Sequence, residues 1–274
     1  MSGSVRPSAL MVSGLRVSRG GGDLVLIDDL RIAPGEFVAI IGPNGAGKSS
    51  VLKAVTGEWE SVGAITLLGR SLSEWKRGDL ARRMAVMPQS SQLAFDFTVR
   101  EVVAMGRLPH RGESIHTAVR VVNETLSALA LDEFSHRRFT TLSGGERQRV
   151  QFARVLAQIW DEPSDRLLLL DEPTSALDLA QQKAVLDHAW HQSRQGATVV
   201  AVMHDLNMVS RYADRVLVFS NGRLVKDAPP VEVLTEVGIQ SVFGLRVGVE
   251  RSISDGLPIV LMAPPLATEK VWHG

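Results

Sequence analysis

The sequence predicts an open α/β sheet with an inserted helical unit, and three observations carry that reading. Short, wholly apolar runs end at polar residues: residues 37–41 run into a glycine-rich loop, residues 167–170 into Asp171-Glu172, and residues 197–203 into His204. Segments of helical length, residues 179–194 and 205–213, separate such runs. A further stretch, residues 90–159, has helical periodicity and no clear buried strand. Alternating strands and helices, with chemically active residue types at strand ends, describe an open α/β sheet.

The first clear element is Phe37–Ile41, short and apolar at every position as a strand buried on both faces is. After the glycine-rich loop, residues 50–56 read as helix. Residues 115–131 carry most of the helical pattern in the insertion, which makes 90–159 an inserted helical subdomain. Residues 215–219 form a strand that meets Asn221-Gly222 and returns through residues 223–226. Asn-Gly between two such runs signals a type I′ hairpin, whose central residues both need positive φ. The tail, residues 230–274, is too short for a separate regulatory domain, so residues 1–274 read as one domain with a short C-terminal extension.

Composition excludes several classes. With 274 residues, 45% of them hydrophobic, the chain can bury a sizeable core. Its 30 basic and 30 acidic residues balance, so no global field points to nucleic acid or an anionic membrane surface. Cysteine is absent, which removes disulfides and thiolate metal sites and fits a reducing compartment. No apolar run approaches the ~18 residues that span a bilayer, and residues 1–7 lack the apolar stretch of a secretory signal. A cytoplasmic location is expected, with any membrane-spanning part on another polypeptide.

Gly42-Pro43-Asn44-Gly45-Ala46-Gly47-Lys48-Ser49 fits G-x-x-x-x-G-K-[ST] and lies between an apolar strand and a helix that includes Ser50, the context a phosphate loop requires. Its glycines let consecutive backbone N–H groups converge on phosphate oxygens, and the helix adds the positive end of its dipole. Lys48 is expected at the β- and γ-phosphates and the Ser49 hydroxyl on Mg²⁺. Asp171, after four leucines, puts a carboxylate at the end of a central strand, where it can hold the Mg²⁺ hydration shell. Glu172 can orient the attacking water and accept its proton. Asp-Glu after an apolar run is often only a strand meeting solvent. Its company with a phosphate loop and with Pro173-Thr174-Ser175-Ala176-Leu177-Asp178 gives it a chemical role.

The most informative segment is Leu142-Ser143-Gly144-Gly145-Glu146. Ser143 with a glutamate three residues on makes a capping box at a helix start. That leaves two adjacent glycines unexplained, in a helix that glycine weakens by about 0.5–1 kcal/mol relative to alanine. A bare first turn suits close approach to another negatively charged group. Over roughly residues 10–230, this segment with the phosphate loop and the acidic strand end resembles the ATP-binding cassette (ABC) ATPases. The resemblance implies their P-loop NTPase fold, with an N-terminal antiparallel β subdomain beside the helical one. It implies two copies closing head to tail on two Mg-ATP. Ser143, Gly144 and Gly145 of one copy would serve the nucleotide held by the other, with Asp178 at the seam. His204 resembles the switch histidine that contacts the γ-phosphate and Glu172. Gln89 resembles the glutamine that senses Mg²⁺ and the attacking water and links them to the membrane partner.

A single cassette without a membrane span resembles the separate ATPase subunits of bacterial importers. That implies a homodimer bound peripherally at the cytoplasmic face of the inner membrane. It would sit on a dimeric transmembrane permease supplied by a periplasmic substrate-binding protein, with no nucleic acid involved. Residues 89–99 are similar to importers of haem, ferric siderophores and cobalamin; this segment, residues 153–160 and residues 175–180 favour haem (hemin). Repair, chromosome-organising and translation-associated ABC ATPases carry coiled coils, zinc modules or paired cassettes, none of which the sequence shows.

Two features depart from the family. An aromatic that stacks on adenine is usual near position 17, yet residues 1–36 contain none. Val17 stands there, and planar stacking by Arg16 or Arg19 is the expected substitute. Residues 159–166 read as a short insertion forming a surface loop. His188 and His191 lie three apart on a helix without a third ligand and read as a solvated face. Trp59, Trp75, Trp160, Trp190 and Trp272 are too scattered to form a nucleic-acid stacking platform.

Overall fold

A computed structural model describes residues 8–20, 22–89, 96–161 and 165–262 of the chain. Most of the cargo-class segment, the middle of the 159–166 insertion, the end of the C-terminal extension and Trp272 therefore lie outside the described residues. The strands are β1 (Leu10–Arg19), β2 (Gly22–Ile32), β3 (Phe37–Ile41), β4 (Val62–Leu67), β5 (Arg70–Ser71), β6 (Met84–Met87), β7 (Arg166–Asp171), β8 (Ala197–Val202), β9 (Arg215–Ser220), β10 (Arg223–Ala228), β11 (Val247–Arg251) and β12 (Pro258–Met262). The α-helices are α1 (Lys48–Val55), α2 (Arg77–Arg83), α3 (Val99–Ala104), α4 (Ile115–Ala128), α5 (Gly144–Ile159), α6 (Leu179–Arg194), α7 (Leu206–Tyr212), α8 (Pro230–Val233) and α9 (Glu236–Phe243).

Among the described residues, ten strands form one mixed sheet in the order β5-β4-β1-β2-β10-β9-β3-β8-β7-β6. The run β9-β3-β8-β7-β6 is parallel throughout. Its central strands β3, β7 and β8 are buried at every position because both faces are covered. Phe37, Ala39 and Ile41 of β3 enter one core while Val38 and Ile40 enter the other; β7 divides Leu168 and Leu170 from Leu167 and Leu169 in the same way. At the far side β2, β1, β4 and β5 pair antiparallel, the N-terminal β unit that the resemblance implies. Helices α3, α4 and α5 share one core with the first face of the parallel strands, and α1 packs on the opposite face.

The two halves of the sheet meet at a narrow seam. β10 pairs with β2 through one residue pair, Arg223 and Leu26. The hairpin between β9 and β10 has Asn221 at φ 47 and Gly222 at φ 74, the two positive values a type I′ turn needs. Gly222 accepts a hydrogen bond from Leu26 N at 2.7 Å, and a Cβ on Gly222 would lie 2.4 Å from the Leu24 carbonyl oxygen. Arg215 reinforces the junction, donating to both carboxylate oxygens of Asp227 at 2.5 Å and to the Arg31 carbonyl at 2.7 Å.

Several boundaries shift by one or two residues from expectation, among them α1, β8 and α7, and two others have a packing cause. The insertion is shorter than residues 159–166, because Ile159 is the last residue of α5 and Arg166 is the first of β7. Arg166 is buried and donates to Gln192 Oε1 at 3.0 Å and to the Gln195 carbonyl at 3.1 Å, so it is a core residue rather than a loop residue. Helix α4 stops at Ala128, short of residue 131, where Ala130 turns to φ 50. The apolar period continued past the helix because Leu131 still enters the core from the turn.

Gly222→Ala is expected to lower the unfolding free energy by at least about 2 kcal/mol, because it adds a backbone clash to an unfavourable φ. Asn221→Ala, strained by φ alone, is expected to cost about 1 kcal/mol. Urea unfolding of the two variants beside the parent protein checks the order; equal losses would remove the seam argument.

Candidate functional site

The carboxyl ends of β3, β7 and β8 lie side by side, which is where open α/β sheets form their crevices. β3 runs straight into the phosphate loop. Gly42 stands at φ 150, and a Cβ there would lie 2.1 Å from the Phe219 carbonyl oxygen. Gly47, at φ 93, caps α1, and its Cβ would meet Val25 Cγ2 at 2.8 Å and the Leu24 carbonyl oxygen at 2.9 Å. The loop is thus wedged between β9 and β2, with no room for a side chain at either glycine.

Lys48 is 6% exposed, and its Nζ donates to the carbonyls of Gly42 at 2.8 Å and Pro43 at 2.9 Å. Burial holds its pKa below the usual lysine range, against the attraction of Glu172 and Asp171. Ser49 Oγ donates to Asp171 Oδ1 at 3.0 Å. Burial pushes the Asp171 carboxyl up, the Ser49 hydrogen bond opposes the shift, and neighbouring Glu172 adds to it. Among the described residues no three His, Cys, Asp or Glu side chains converge as a metal cage. A hydroxyl–carboxylate oxygen pair fits Mg²⁺, which takes one or two protein ligands and fills its octahedron with water and phosphate oxygens.

Glu172 follows at φ 53, a left-handed conformation that costs a non-glycine residue about 1–2 kcal/mol. Its Oε1 lies 2.8 Å from Nε2 of His204, so the ends of β7 and β8 are tied by side chains as well as by the ladder. The phosphate loop with Ser50, Gln89, Glu172, His204 and Leu24 lines one cleft of about 670 Å³, the size class of small-molecule sites. The structure therefore brings together all the residues read as catalytic or metal-binding, with Asp171 buried beneath Ser49.

It does not bring Ser143, Gly144, Gly145 or Asp178 to that cleft. The capping box is present: Ser143 Oγ accepts from Glu146 N at 3.2 Å, and Glu146 Oε2 accepts from Ser143 N at 2.7 Å. Ser143 and Gly144 are exposed, and a Cβ on Gly144 would find only Ala176 Cβ, at 3.8 Å. Gly145 differs. Its Cβ would fall 2.9 Å from the Ala176 carbonyl oxygen and 3.1 Å from Gln181 Oε1. The bare turn expected for an outside group thus describes Gly144, while packing inside the chain already demands Gly145. Asp178 is the N-cap of α6, its carboxylate accepting from Gln181 N at 2.8 Å.

The expected adenine platform is not at the cleft. Val17 is fully buried in β1, Arg16 lies 3.9 Å from Asp23, and the Arg19 guanidinium stacks 4.3 Å over the Trp59 ring. The apolar wall beside the phosphate loop is Leu24, 38% exposed, which no motif marks. His188 and His191 stay on a helix face with no metal grouping, and His191 sets its ring edge-on to Trp190 at 5.3 Å. Sequence reasoning also missed Gln148, whose Nε2 donates to the Glu172 carbonyl at 2.8 Å and whose Oε1 accepts from Ala176 N at 3.0 Å. The available signal was its position three residues after Gly145, on the same helix face.

The profile of the ABC transporter family matches residues 27–175. The hemin import ATP-binding protein HmuV of Pseudomonas aeruginosa is 44% identical over 92% of this chain and 99% of its own length. That of Gloeobacter violaceus is 43% identical over 96% of each chain. Among solved structures, an inward-facing ABC transporter described as of metal-chelate type is 27% identical, with a TM-score of 0.76 over 94% of this chain and 98% of that one. A dimeric ATP-binding cassette bound to ADP and Pi in a post-hydrolysis state is 26% identical, with a TM-score of 0.71 over 81% of this chain and 98% of that one. With its glycine loop, paired acids and capped glycine turn in this arrangement, the chain belongs to the ABC transporter family.

Proposed function

We propose that the chain is the ATP-hydrolysing subunit of a bacterial importer whose cargo is haem (hemin). One observation carries the chemistry: Lys48, Ser49, Asp171, Glu172, His204 and Gln89 converge on a single nucleotide-sized cleft. The cargo rests on the shared name of relatives aligned over nearly the whole chain. As the ATP-binding subunit of an ABC transporter, the chain works with a transmembrane permease. We read it as a homodimer on a dimeric permease, peripheral at the cytoplasmic face of the inner membrane, with a periplasmic substrate-binding protein delivering cargo. No helix among the described residues is long and apolar enough to cross a membrane.

In this reading the amides of residues 42–49 and the Lys48 ammonium bind the phosphates, Lys48 exchanging its two carbonyl partners for phosphate oxygens. Ser49 and Asp171 would hold Mg²⁺, which when bound neutralises phosphate charge. Glu172 orients water and takes its proton, while His204 holds the Glu172 carboxylate from the other side. Gln89, on the cleft wall, reports its state toward the permease. The exposed Ser143 and Gly144 on a capped helix start serve the nucleotide of the second copy, with Asp178 at the seam. The dimeric cassette holding ADP and Pi supports that arrangement. Residues 90–159 are the helical unit inserted in one domain, and residues 230–274 its C-terminal extension.

Glu172→Gln is expected to lower turnover by about 100-fold or more while ATP still binds and a closed dimer accumulates, as read by phosphate release and size-exclusion chromatography. Near-normal hydrolysis would exclude Glu172 as the base. Lys48→Ala and Ser143→Arg are each expected to be inactive alone and to regain activity when mixed, since one composite site in the mixed dimer is intact; silence at every mixing ratio would count against shared sites. Reconstituted in liposomes with its permease and binding protein, the chain is expected to drive ATP-dependent uptake of haem. Uptake of a ferric siderophore or cobalamin alone would overturn the cargo.

A further inference from the structure

We propose that Gln148 is a positioning residue for the Glu172 carboxylate, acting through the Glu172 backbone and tying it to the start of α5. The proposal rests on the reading of Glu172 as the water-orienting base. Glu172 sits in the left-handed region at φ 53, a conformation its own side chain does not favour, so its neighbours must hold it there. Its N–H donates to the Val202 carbonyl at 3.2 Å and thereby extends the β7–β8 ladder. Its carbonyl accepts three hydrogen bonds. Two are long and local, from Ser175 Oγ at 3.3 Å and Ser175 N at 3.4 Å. The third, from Gln148 Nε2 at 2.8 Å, is the shortest and comes from a different element.

The same amide reaches the other end of the turn, where Gln148 Oε1 accepts from Ala176 N at 3.0 Å. One side chain therefore spans residues 172–176 and fixes both ends, which a donor or an acceptor alone does not do. One turn earlier on α5, Gly145 lets the helix lie against Ala176, where a Cβ would stand 2.9 Å from its carbonyl oxygen. The turn is clamped from one helix face by a close approach and an amide fork. The residues just before that face, Ser143 and Gly144, are exposed and do not line the cleft that holds the phosphate loop. A force on the start of α5 is thus delivered to the peptide that aims the carboxylate, through one residue and without a loop between.

Two variants separate positioning from packing. Gln148→Met keeps length and volume and removes every hydrogen bond of the amide, including the long one to Ser175 Oγ at 3.4 Å; Gln148→Glu keeps the acceptor for Ala176 N and cannot donate to the Glu172 carbonyl while ionised. Assayed as the full-length protein with its permease, both are expected to lose about 10- to 100-fold in kcat, with KM for ATP within about twofold of the parent. Glu172→Gln is measured in parallel. If Gln148→Met folds and keeps kcat within about twofold, or loses kcat and nucleotide affinity in proportion, positioning is overturned. Should Gln148→Met fail to fold, the same criterion is applied to Gln148→Glu. Collapse of Glu172→Gln beside an active Gln148→Met overturns this proposal alone. Full activity of Glu172→Gln overturns the reading of the base and this proposal with it.

Discussion

The structure depends on one steric constraint: the phosphate loop must lie flat between two strands that come from opposite halves of the sheet. Phe219 of β9 closes on Gly42 from one side, and Leu24 and Val25 of β2 close on Gly47 from the other. Neither glycine has room for a single methyl group. The amides of the loop are then aimed by backbone packing, without depending on flexible side chains, which is how a site for a highly charged ligand can be rigid before the ligand arrives. The seam between β2 and β10 is narrow in hydrogen bonds, and this wedge makes it structurally indispensable. Without the antiparallel strands, one wall of the loop is gone.

Around that wedge the acids are graded by burial. Asp171 is withdrawn beneath Ser49, where desolvation raises its pKa and the hydroxyl tempers the rise. Glu172 comes forward to His204, and Lys48 rests on the loop's own carbonyls. A buried lysine satisfied by carbonyl oxygens is ready to exchange neutral acceptors for charged ones, a change that strengthens each hydrogen bond. Groups one residue apart in the chain thus have different surroundings because the strand end turns between them.

Much of this was legible in the sequence. The strands over residues 37–41, 167–170 and 215–219, the Asn221-Gly222 turn and the helix over residues 179–194 could be read because period, turn chemistry and caps agree there. The polar edge of the cleft was legible for the same reason: the phosphate loop, Asp171 and His204 stand where apolar runs stop. What stayed hidden depends on contacts distant in the chain. The left-handed Glu172 is unmarked because glutamate carries no turn propensity. Gly145 reads like Gly144 until Ala176 is placed against it. Leu24 becomes a cleft wall through the packing of β2 on the loop. Arg19 was a candidate stacking group, and only the folded chain shows that Trp59 has already taken its planar face.

The strand order also sets a timetable. β3 and the phosphate loop are made early, yet both ladder neighbours of β3 come late: Phe37 pairs with Val199 of β8, and Val38 with Arg215 of β9. A growing chain therefore holds Phe37–Ile41 as an apolar strand with two open edges until β8 and β9 emerge. Such edges are where nascent chains aggregate, and pairings of this span are slow to find. Nucleotide cannot guide this search, because the carbonyl of Phe219 that seats Gly42 has yet to be synthesised. The first motif in the chain is thus among the last to become a site, and until then its strand stays an exposed apolar edge.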